Sequence, residues 1–90
     1  MPKVDKLPMF KVILNNDDEC PYSEITQALK LIFNYSVSEA GEIAIDLHTE
    51  KTPKVLEIVH GEKMSLRQEQ IKAWERKTGN GLPITFKRVD

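Results

Sequence analysis

A single cysteine, Cys20, is all that the 90 residues contain, so no internal disulfide is available and no zinc knuckle or dithiol redox pair can be built from paired cysteines. An excess of one charge is also missing. Lys+Arg number 13 against Asp+Glu 14, and a formal net charge of -1 offers no basic footprint for nucleic acid. No apolar run approaches the ~20 residues that cross a bilayer. Met1 to Lys6 lacks the apolar stretch of a secretory signal, so the expected location is the cytoplasm. Internal repeats and low-complexity tracts are absent as well. What is present, 40% hydrophobic and 30% charged residues, is the balance of a soluble globular protein, and the length suits one domain with one core. Met1 to Pro8, with two prolines among charged residues, reads as a short flexible tail, which leaves 9–90 as the domain.

Within that domain the hydrophobic pattern alternates between two periods. Phe10 to Leu14 is apolar and β-branched, a strand buried on one face and ended by Asn15-Asn16-Asp17-Asp18-Glu19. Pro21 suits a first helical turn, where its missing N–H costs nothing. Ile25, Leu29, Ile32 and Phe33 follow at helical spacing as a core stripe. Asn34-Tyr35 breaks that stripe. Ser36 with Glu39 is a capping box opening a second helix, whose buried face is Ala40, Ile43, Ala44 and Leu47 and which ends at Thr52-Pro53. Val55 to Val59 is strand chemistry stopping at Gly61. Ser65 with Gln68 forms another capping box, expected to open a third helix anchored by Ile71 and Trp74 and capped by Gly79. Leu82, Ile84 and Phe86 alternate as a last strand. The order β-α-α-β-α-β predicts an α+β domain, a three-stranded antiparallel sheet with three helices on one face.

Taken alone, the Asn15 to Asp18 run is a turn former that bonds its own backbone, and a lone His48 on an apolar helix is a packed or half-exposed histidine. Joined, they mean more. Phe10-Lys11-Val12-Ile13-Leu14-Asn15-Asn16-Asp17-Asp18 followed by Pro21 resembles the signature of the bacterial Clp protease adaptor family ClpS, in which a strand runs into an Asn-Asp-Asp loop and a Pro-opened helix. The segment Leu29 to Ala40 is similar to the family's two-helix hairpin, and His48 falls at the family's histidine position without a gap, so the resemblance covers Met9 to His48.

The resemblance implies a non-enzymatic adaptor, without cofactor, metal, nucleic acid or membrane partner, that captures free N-termini beginning with bulky hydrophobic residues (Phe, Leu, Trp, Tyr) and delivers them to a Clp AAA+ protease. It implies that Asn16, Asp17 and His48 hold the α-amino group. The chemistry agrees: a free amine is mostly a cation at neutral pH and presents several donors, which a carbonyl oxygen, a carboxylate and a neutral imidazole nitrogen can accept. Asp18 stays open between ligand contact and helix entry. The family positions that line the hydrophobic hole carry Cys20, Tyr22, Ile25, Ala44 and Ile84, where Ile25 and Ile84 also fit plain core packing. Tyr22 stands where the family commonly has Met, so its ring narrows the hole or adds a hydroxyl; Cys20 replaces a hydroxyl residue.

Beyond His48 the family turns through a glycine-bearing segment, whereas Thr49-Glu50-Lys51-Thr52-Pro53 stands here. The family's docking to the N-terminal domain of the unfoldase uses a Glu and a Lys near the start of the third helix, and Glu62, Lys63, Arg67 and Glu69 occupy that region. Three further readings remain: a stand-alone module that binds N-termini without a protease, retention of the fold for an unrelated partner, and site chemistry of another kind. The last would be a hydrolase built on Cys20, His48 and Asp17, or a metal site from Asp17, Glu19, Cys20 and His48, although the sequence has neither a Gly-rich turn by the cysteine nor a metal-ligand motif.

Overall fold

Strand β1 (Met9–Leu14) is the central strand of the sheet, flanked by β2 (Lys54–His60) and β3 (Ile84–Val89) in the order β2-β1-β3, both antiparallel to it. The computed structural model describes residues 8–89; apart from Pro8, the expected tail lies outside the described residues. Helices α1 (Tyr22–Leu31), α2 (Val37–Glu50) and α3 (Gly61–Thr78) complete the α+β order read from the sequence. The core is made by Val12 and Leu14 of β1 and Leu56 and Val59 of β2, under Ile25, Ala28 and Leu29 of α1, Ala40, Ala44 and Leu47 of α2, and Ile71 and Trp74 of α3. The other sheet face stays open, with Val55 and Ile58 half exposed. No helix among the described residues is long and apolar enough to cross a membrane.

Local chemistry sets the helix boundaries that frame the site. Pro21 is the N-cap of α1, one residue before the expected first turn. After Leu31 and the cap Ile32, Asn34 takes a left-handed φ of 62° that redirects the chain, and the Tyr35 amide donates to Leu29 O at 3.1 Å. The Ser36/Glu39 capping box forms: Ser36 Oγ accepts from the Glu39 amide, and Glu39 Oε1 accepts from the Ser36 amide, both at 3.1 Å. Helix α2 passes His48 and stops at Glu50, because Lys51 turns left-handed at φ 57° while its amide donates to Leu47 O. Lysine thus takes a left-handed conformation that glycine ordinarily supplies at a helix C-terminus.

Two features depart from the sequence expectation. Helix α3 begins at Gly61, with His60 as N-cap, so Ser65 and Gln68 lie inside it rather than capping it. The reason is tertiary: Met64, Arg67, Ile71 and Trp74 share one face. Met64 and Arg67 need the early turn, Met64 to pack on the core and Arg67 to reach β2. The second departure is a β-bulge. The β1/β2 register slips between Val12 and Ile13, so that Val12 faces Glu57, Ile13 faces Val55 and Leu56 is the extra residue. Consecutive residues thereby serve the helical side: Leu56 enters the core and Glu57 receives Arg67. Arg67 Nε donates to Glu57 Oε2 at 2.6 Å and Nη2 to Oε1 at 3.3 Å, while Nη1 donates to Ile32 O at 2.8 Å and to Gln70 Oε1 at 2.9 Å. The guanidinium also lies 5.0 Å from the Phe33 ring centroid. One side chain therefore ties the end of α1 to β2 and α3. Tyr35 adds a second tie to the bulge, its hydroxyl donating to Leu56 O at 2.7 Å.

Candidate functional site

The loop from β1 to α1 and the C-terminal half of α2 enclose a cavity of about 280 Å³. Asn16, Asp17 and Asp18 come from the loop, Cys20, Pro21, Tyr22 and Ile25 from the α1 entry, and Ala44, Ile45, Leu47, His48 and Thr49 from α2. Ala44 and His48 meet there because residues four apart stack on one helix face. Polar groups at one edge of an otherwise apolar hollow are the general layout of a small-ligand site.

The loop is held at its start by Pro83 and Thr85 and further on by its own hydrogen bonds. Asn15 is structural: its amide donates to Pro83 O at 2.7 Å, and its side-chain Nδ2 donates to Pro83 O at 3.3 Å and Thr85 Oγ1 at 3.1 Å. Asp17 closes an Asx turn, Oδ1 accepting from the Glu19 amide at 2.9 Å and its carbonyl from the Cys20 amide at 3.0 Å. The turn-former reading of Asp17 is realised through Oδ1, and the residue also borders the cavity. Asp18 also lines the cavity and stands 3.8 Å from Lys51 Nζ, an exposed pair of little energetic weight.

Of the eight residues expected at the site, seven border this cavity: Asn16, Asp17, Cys20, Tyr22, Ile25, Ala44 and His48. Ile84 does not. It opens β3 opposite Leu14 and packs against the core, so its second reading, plain packing, is the one the fold realises. Ile45, Leu47 and Thr49 line the cavity without having been singled out, although their spacing from Ala44 and His48 on one helix was the available signal. A polar cleft of roughly 360 Å³ adjoins the cavity, sharing Asp17, Cys20 and Pro21 with it and continuing along Glu19 and Gly79 to Pro83.

Burial pushes the Cys20 thiol above its ordinary value, with the charges of Asp17 and Glu24 adding to the effect. Its sulfur lies 3.9 Å from Gly81 O. A nucleophilic cysteine needs a lowered pKa, so the hydrolase alternative runs against the electrostatics. Among the described residues no three His, Cys, Asp or Glu side chains gather as a metal site, so the four candidates are not brought together as ligands.

Residues 5–85 match the family model of ClpS, the ATP-dependent Clp protease adaptor protein. The chain belongs to the ClpS family. Among curated relatives, the ClpS adapter of Alkalilimnicola ehrlichii is 27% identical over 88 residues, spanning 98% of this chain and 82% of that protein. The ClpS adapter of Shewanella loihica is 45% identical over 40 residues, 44% of this chain and 39% of that protein. In solved structures, Agrobacterium tumefaciens ClpS2 bound to L-phenylalaninamide superposes with a TM-score of 0.73 at 21% identity, covering 93% of this chain and all of that one. The ClpS fold is thus shared over nearly the whole described chain, including the half beyond His48 where the sequence diverges.

Proposed function

We propose that this ClpS-family chain binds the free N-termini of proteins whose first residue is a bulky hydrophobic one and presents them to a Clp AAA+ protease. The observation that carries the reading is the cavity itself, where apolar walls from Tyr22, Ile25, Ala44 and Leu47 meet Asn16, Asp17 and His48. The first side chain enters the apolar part. The α-ammonium meets the Asn16 carbonyl, the Asp17 carboxylate and a neutral His48 nitrogen, and the rest of the peptide leaves over the polar cleft. An acetylated or internal residue brings no cation and too few donors, so it leaves these acceptors desolvated and unpaired. The A. tumefaciens relative is bound to a phenylalanine derivative with a free amine, which supports the same ligand class here. Binding needs no bond-making group, in keeping with an adaptor.

Fluorescence anisotropy of labelled peptides that differ only at residue one tests it. Tight binding confined to free Phe, Leu, Trp and Tyr termini is expected, against Arg, Ala and N-acetyl-Phe; equal binding of the acetylated peptide refutes it. Of the four charged residues considered for unfoldase docking, Arg67 is committed to Glu57 and Ile32, while Glu62, Lys63 and Glu69 are exposed; the alternative reading is an N-terminus-binding module uncoupled from a protease. Co-purification with a Clp ATPase separates the two readings.

A further inference from the structure

Gly41 sits in the interior of α2 with no left-handed φ, so its backbone has no need of glycine, and glycine in a helix interior costs stability relative to alanine. What it does provide is space. A Cβ on Gly41 would stand 3.3 Å from the Tyr22 hydroxyl and, outside its own helix, would meet no other atom within 4 Å. Tyr22 opens α1 and its ring lines the cavity, so the missing Cβ lets that ring span from α1 to the backbone of α2.

We infer that Gly41 is a specificity-determining position that works through Tyr22: it seats the ring as a fixed end wall between α1 and α2, and this wall sets the size of the first side chain accepted. The inference rests on the N-terminus-binding reading of the cavity. Gly41 is a positioning residue, since it is not among those that line the cavity. A separation of 3.3 Å is tighter than ordinary contact, so a methyl group at this position pushes the hydroxyl away by a few tenths of an ångström. Tyr22 is 50% exposed, which leaves the solvent side free for the ring to move into. Outward movement widens the hole and favours the largest first residue.

The test is Gly41→Ala, measured by anisotropy with free Trp- and Leu-initiated peptides. The Trp:Leu affinity ratio should rise by about threefold or more, within what a hydrophobic pocket discriminates, while the unfolding midpoint holds or rises because alanine is the better helix former. The same substitution in a Tyr22→Phe background, where no hydroxyl meets the added methyl, should leave that background's ratio unchanged. An unchanged ratio in Gly41→Ala, an equal loss for both peptides, or the same change in the Tyr22→Phe background overturns the inference. Failure of the wild-type chain to bind either peptide sinks the underlying reading of the cavity instead.

Discussion

Replacing Arg67 by Met removes the cation that holds three elements together while keeping most of its apolar stem. The side chains of Arg67 and Glu57 are only 12% and 24% exposed, so loss of the guanidinium strands a largely desolvated carboxylate and frees the Ile32 carbonyl at the end of α1. Removing one partner of a buried pair costs ~3–5 kcal/mol. The residual exposure of Glu57 places the expectation at the lower end, about 3 kcal/mol with the contact to Phe33 included. In a domain of this size that lowers the thermal midpoint by roughly 15 °C. Urea titration followed by circular dichroism measures it, with the slope unchanged if only stability moves. The double variant Arg67→Met/Glu57→Leu should regain at least about 1 kcal/mol, because no unpaired charge is left behind. A loss under about 1 kcal/mol in the single variant, or a double variant no more stable than it, would refute the argument.

Asp17→Asn keeps an oxygen for the Glu19 amide but removes the negative charge, so it should weaken peptide binding by about tenfold or more with little change in melting temperature; equal losses of both would make Asp17 a loop former only. His48→Ala removes an acceptor for the ammonium, so affinity for a free Phe-initiated peptide should fall by about tenfold. Unchanged affinity of His48→Ala by anisotropy would take His48 out of the site. Because burial raises the Cys20 thiol, its thiolate is scarcer at any pH below that raised value than in a free cysteine, and alkylation by iodoacetamide should be slower than for a model thiol. Bound peptide should slow it further, and unchanged reactivity in the presence of peptide would place the ligand elsewhere. Lys51→Gly should stabilise the fold by about 1 kcal/mol, since a left-handed residue at the end of α2 suits glycine; a lower melting temperature counts against that account.

Much of the site was legible before any fold, because a short-range signal and a family signature coincided on the same residues. Asn16, Asp17, Cys20, Tyr22 and Ile25 lie within ten positions of one another, and Ala44 and His48 are one helical turn apart, so local geometry almost fixes their relation. Ile84 does not border the cavity, and its position depends on where a strand far along the chain pairs. That pairing to Leu14 turns it to the core.

Amphipathic spacing, the Ser36/Glu39 box and the Gly79 cap determined the number, kind and order of the elements by themselves, since each is decided by residues within one or two turns of chain. Only the tertiary structure decided the start of α3 at Gly61, the bulge that sends Leu56 and Glu57 to the same side, the reach of Arg67 to Ile32, and the meeting of Tyr22 with Gly41. Each of these depends on groups distant in sequence, where packing and the pairing of desolvated charges outweigh the local preference.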